Sequence, residues 1–157
     1  MKVSLYKLLT LFFLVFWVPV FASAHCELPC GIYDDPMRID LLQEHIRTME
    51  KSMLVITDLR EDKDINYNQL VRWIVNKENH ANKFQEIVSQ YFMTQRISPG
   101  EKMYAQKVEV LHKMLYNAMK CKQTTDFEYI EKLRKLVKEF EKLYFGEKRA
   151  EKHDHKH

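Results

Sequence analysis

Four stretches of this chain repeat apolar residues at intervals of three and four, and between them they leave few other folds open. That spacing is the period of one helix face, and no segment alternates with the two-residue period of a half-buried strand. The first stripe is Ile39, Leu42, Ile46, Met49, Met53 and Ile56, opening at Asp35-Pro36, a cap residue followed by a proline suited to a first turn. The charged connection 60–64 follows. A second stripe, from about Asn68 to Phe92, points Leu70, Ile74, Ala81, Phe84, Val88 and Tyr91 inward. Its middle, 76–80, is polar, so that face is partly something other than core. The third starts at the capping box Ser98-Pro99-Gly100-Glu101 and carries Tyr104, Val108, Leu111, Leu115 and Ala118. The fourth starts at a second such box, Thr125-Asp126-Phe127-Glu128. It runs through Ile130, Leu133, Val137, Phe140 and Tyr144 to a stop at Gly146.

Four one-sided helices joined by short links predict an all-α protein, an up-and-down four-helix bundle over residues 35–146. Only 3 glycines and 4 prolines among 157 residues argue the same way, against a turn-rich β fold. The tail 147–157 has no apolar period and reads as disordered. Its His153, His155 and His157 alternate with charges and read as a solvated tail, with metal gathering as the functional alternative. His45 and His112 have no acidic or cysteine partner at ligand spacing and are assigned to surface or interface positions. The aromatic set Tyr91, Phe92, Tyr104 and Tyr116 is assigned to core and oligomer contact.

The first 24 residues read as a cleaved signal peptide. Lys2 and Lys7 precede the apolar run 8–18, and Ala22-Ser23-Ala24 is the small-x-small pattern before a cut. The run is short for a membrane span, so no stable membrane anchor is expected after cleavage. The expected destination is outside the cytoplasm: periplasm, medium or an organelle lumen. The formal net charge is +3, and Lys2 and Lys7 supply two of those positive charges, which leaves +1 once the leader is gone. With lysines interleaved among glutamates, no nucleic-acid partner is indicated.

Chemistry concentrates in 25–34. Cleavage after Ala24 would make His25 the first residue of His25-Cys26-Glu27-Leu28-Pro29-Cys30. The freed α-amine, the His25 imidazole and the Cys26 and Cys30 thiolates are all metal donors. Deprotonation of the amide between His25 and Cys26 would close chelate rings from amine to amide nitrogen and from there to the Cys26 sulfur. Two nitrogens and two sulfurs in a plane favour Ni(II) or Cu(II) over tetrahedral zinc. Pro29 and Gly31 suit the tight curl such a hook needs. Tyr33 is near enough in sequence to bend over an open coordination face. Three plainer readings stand beside the hook: a Cys26–Cys30 disulfide, which an oxidising compartment favours, a structural zinc site, and a chance cleavage point. Cys121, the third cysteine, has the apolar helical flanks of a buried thiol.

The segment 25–33, His-Cys-Glu-Leu-Pro-Cys-Gly-Ile-Tyr, resembles the hook of the nickel superoxide dismutases, whose pattern is His-Cys-x-x-Pro-Cys-Gly-x-Tyr. Every fixed position is present. The stretch 34–39 resembles the family's approach to its first helix, and 68–73, Lys77-Glu78, His80 and 89–92 resemble later parts. The resemblance covers most of 25–97 and implies one nickel ion per chain, held by His25 through amine and imidazole, Cys26 through amide and sulfur, and Cys30 through sulfur. It implies Tyr33 as the residue closing over the metal, superoxide anion as substrate, and a homohexamer of four-helix bundles. Glu27 stands where aspartate is commonest. Asp40 and His80 fall near the places where members hold the histidine ligand in orientation. The alternative function is an exported, non-enzymatic metal-binding or metallochaperone protein using the same hook; a metal-free helical protein with a Cys26–Cys30 disulfide is a third.

Overall fold

The computed structural model describes residues 34–146, and within them every regular element is helical. In chain order these are α1 (Asp35–Glu61), α2 (Tyr67–Glu86), a π-helical continuation π1 (Ile87–Arg96), α3 (Tyr104–Gln123) and α4 (Glu128–Phe145). The expected hook and signal peptide, and the tail from 147, lie outside the described residues.

Helix α1 is started by Asp34, whose carboxylate accepts from the Met37 amide at 3.1 Å. The cap therefore sits one residue before the Asp35 expected from sequence, because the Asp35 carboxylate is engaged across the molecule instead. All six residues of the predicted α1 stripe are buried. On α2, capped by Asn66 on the Gln69 amide, Ala81 and Phe84 face the core as expected, and so do Val88 and Tyr91 on π1. Leu70 and Ile74 do not. Leu70 is half-buried and Ile74 is 39% exposed, since α1 meets this half of α2 through a polar contact, the Asn76 amide donating to Ser52 Oγ at 3.0 Å.

The two predicted capping boxes are corrected. Ser98 and Glu101 do make the reciprocal contact, Ser98 N donating to Glu101 Oε2, but α3 starts only at Tyr104. Gly100 at φ +87° and Met103 at φ +60° take the left-handed region between them, which a continuous helix cannot contain. The buried line of α3 is Val110, Leu111, Met114, Ala118 and Cys121, while Val108 and Leu115 are half-buried and Tyr104 lies on the surface. Before α4 the contacts are Asp126 N to Thr124 Oγ1 and Glu128 N to Asp126 Oδ1, in place of a Thr125–Glu128 box. The stop at Gly146 is as read, with φ +84° and its amide donating to Lys142 O.

Each helix packs on two others: α1 on α2 and α4, and α3 on the same pair. Their ends show the directions. The start of α1 meets the end of π1 and the end of α4 through Asp35, and the middle of α2 meets the end of α3 through Lys77. Lys107, early in α3, stands over the Tyr144 ring near the end of α4. Phe84, Phe92 and Phe140 are fully buried at the centre, and the Phe92 and Phe140 rings meet edge to face with centroids 4.8 Å apart.

Candidate metal centre

Two polar clusters and one buried cation interrupt this apolar interior. The first gathers at the point where the chain enters α1. Asp35 accepts from the Tyr91 hydroxyl on one oxygen; its other oxygen takes Arg96 Nη2 at 2.6 Å and the Tyr144 hydroxyl at 2.9 Å. Arg96 Nε also donates to Tyr144 Oη, and the Arg38 guanidinium lies over the Tyr91 ring. The π geometry explains how one segment supplies two of these partners. Residues five apart diverge on an α-helix of 3.6 residues per turn, whereas i→i+5 bonding returns Tyr91 and Arg96 to one face. Burial by itself would raise the Asp35 pKa, but the bonds from Tyr91, Arg96 and Tyr144 outweigh it and hold the carboxyl below its ordinary range. Burial and the bond to Asp35 push the Tyr91 phenol up, so it stays a donor. Two buried atoms, Arg38 Nε and Gln95 Oε1, have no hydrogen-bond partner among the described residues.

The second cluster is His45 and His80, whose Nδ1 atoms stand 3.1 Å apart between α1 and α2, the rings edge to face. The assignment of His45 to a surface or interface position is thus corrected: it is buried within the chain, because it lies on the α1 stripe itself, three residues after Leu42 and four before Met49. His112 is exposed as expected. Burial lowers both histidine pKa values. His80 and Lys83 add to the depression at His45, and Lys83 does so at His80, with Glu44 opposing in each case.

The buried cation is Lys77, 4% exposed, whose ammonium donates to Lys122 O at 2.8 Å and Thr124 O at 2.9 Å and so satisfies carbonyls at the end of α3. It confirms the polar middle read for this helix. Cys121 is buried, with its thiol pushed up to about 12 chiefly by burial, which makes it the inert thiol expected.

The predicted site residues His25, Cys26, Cys30 and Tyr33 lie outside the described residues. Among the described ones no three His, Cys, Asp or Glu side chains converge on a metal position. The described residues therefore offer no competing centre of three or more such donors. The donor set at 25–30 suits nickel by its chemistry, and Arg38 Nε and Gln95 Oε1, which have no partner among the described residues, offer a donor and an acceptor on α1 and π1. Asp40 is exposed on α1 and His80 is paired with His45.

These features define an all-helical protein whose histidine- and cysteine-bearing segment 25–33 precedes its first helix. The chain belongs to the nickel-containing superoxide dismutase family: the model of that family matches residues 20–148, a span that includes the whole of 25–33. It is accordingly a superoxide dismutase, an oxidoreductase with nickel as its cofactor, which decides against the non-enzymatic readings. Comparison with curated proteins and with solved structures gave no match.

Proposed function

We propose that the nickel centre assembles at the N-terminus of the mature chain, freed by cleavage after Ala24, and disproportionates two superoxide anions and two protons to oxygen and hydrogen peroxide. The observation that carries this reading is the motif 25–33, complete at every fixed position and standing immediately before the Asp35-anchored start of α1.

His25 holds the metal by its α-amine and imidazole, Cys26 by its amide and sulfur, and Cys30 by its sulfur. Nickel so bound supplies a one-electron Ni(II)/Ni(III) couple, brought within reach by electron-rich thiolate and amide donors. Tyr33 holds the small anion by a hydrogen bond from its phenol and orients it. Pro29 and Gly31 shape the curl, and Asp35, tied to Tyr91, Arg96 and Tyr144, fixes the point from which that curl departs. A confined pocket also protects Cys26 and Cys30 from oxidation by the peroxide formed.

The signal peptide at 1–24, export from the cytoplasm, the up-and-down bundle carrying this hook and the homohexamer belong to the same proposal. Oligomer contact is supported by Tyr67, Val71, Ile74 and Val75, an exposed apolar row along the first half of α2. One added alanine before His25 tests the site. The variant should keep its helicity and lose activity; a variant that still dismutates superoxide would show that the terminal amine is not a ligand.

A further inference from the structure

We propose that His45 and His80 form a second metal site, a two-imidazole chelate for a divalent transition-metal ion, held in the seam between α1 and α2. The distance between their Nδ1 atoms is 3.1 Å. Two imidazole nitrogens at roughly 2.0–2.1 Å from one ion, at right or tetrahedral angles, stand roughly 2.8–3.4 Å apart, so the pair already has the bite of neighbouring ligands. The residues come from different helices, so the bite is set by helix packing. Around them Ile46, Met49, Ala81 and Phe84 are buried, which fixes the backbone carrying each ring.

The rest of the surroundings suit a cation entering from one side. Among the described residues His45 is enclosed while His80 is half-buried, so the His80 ring is the more exposed of the two. Burial disfavours protonation of both imidazoles, and the neutral ring is the form that binds metals. Glu44 acts on both rings as the nearby negative charge, and the Lys83 ammonium opposes it. Because no third His, Cys, Asp or Glu side chain among the described residues converges here, water completes the coordination. The site is then an open, exchangeable one, unlike a closed structural centre.

The test uses the nickel-loaded enzyme with Zn²⁺ as probe, reading the ring nitrogens of ¹⁵N-labelled histidines and the zinc bound at equilibrium. Zinc should shift the Nδ1 resonances of His45 and His80 together. His80→Gln should weaken this binding by at least about tenfold, since even outer partners of metal ligands are worth that much. Changing His153, His155 and His157 to glutamine should leave it in place. Zinc shifts confined to the tail histidines or His112, or equal affinity in His80→Gln, would overturn the site and leave the pair a hydrogen bond only. Should His80→Gln fail to fold, as circular dichroism would show, the resonances of the unaltered enzyme decide alone.

Discussion

Arg96 Nη2 stands 2.6 Å from Asp35 Oδ2, which ties the last turn of the second helical run to the first turn of α1. Tyr91 and Tyr144 bond the same carboxylate, so three segments distant in sequence meet two residues after Tyr33. The segment proposed to bind nickel thus leads into α1 at a clamped point.

Asp35→Asn keeps the shape and removes the charge. We expect a loss of about 1–3 kcal/mol in urea unfolding, the size of a charge-assisted bond in a partly exposed pair. The folded carboxyl is more acidic than an unfolded one, so its contribution is present above about pH 4 and is lost as pH falls through the lower folded value. Nickel occupancy should fall as well. Arg134→Gln, which breaks the cross-helix Glu50–Arg134 pair away from this end, should leave occupancy unchanged.

The histidine pair predicts a second acid-sensitive step. Both imidazoles are harder to protonate when folded, chiefly through burial, with Lys83 and the partner ring adding at His45 and Glu44 opposing. Unfolded chains then bind more protons below about pH 6.5, so stability should fall as pH drops through that region. His80→Gln should flatten this limb; unfolding curves with the same pH dependence in both proteins would contradict it.

Lys77→Met should keep the packed stem and lose two bonds to the end of α3. A cost of about 1–3 kcal/mol is expected, with hydrogen exchange faster at 120–124 than in α1. Uniform exchange changes would show that the ammonium is not a local cap.

Cys121→Ser should leave nickel content unchanged while costing roughly 1–3 kcal/mol for a hydroxyl placed in an apolar core. In the native parent the thiol should resist alkylation at neutral pH, since its pKa is pushed up to about 12. Loss of nickel in the variant would show that Cys121 supports the centre.

Periodicity made the four helices legible because an apolar residue every three or four positions has one way to leave water. It failed where a stripe position is polar. His45, Ser52, Lys77 and His80 all lie on the inward lines of α1 and α2, yet only the packed partner shows what each one bonds. Cap residues were legible as chemistry and misplaced by position: Asp34 does the work assigned to Asp35, which Arg96 claims from 61 residues away. The π turns that bring Tyr91 and Arg96 together have no sequence signature of their own. The motif proposed to hold nickel, by contrast, is local, so 25–33 could be read as a unit, and the match to the family spans it.

The central claim is that a freed terminal histidine and two cysteines bind the nickel. N-terminal sequencing of the active, purified enzyme together with metal analysis tests it most directly. The account predicts a chain beginning His25-Cys26-Glu27 with about one nickel ion per chain; active enzyme that begins at any other residue, or that carries copper or zinc in place of nickel, would contradict it.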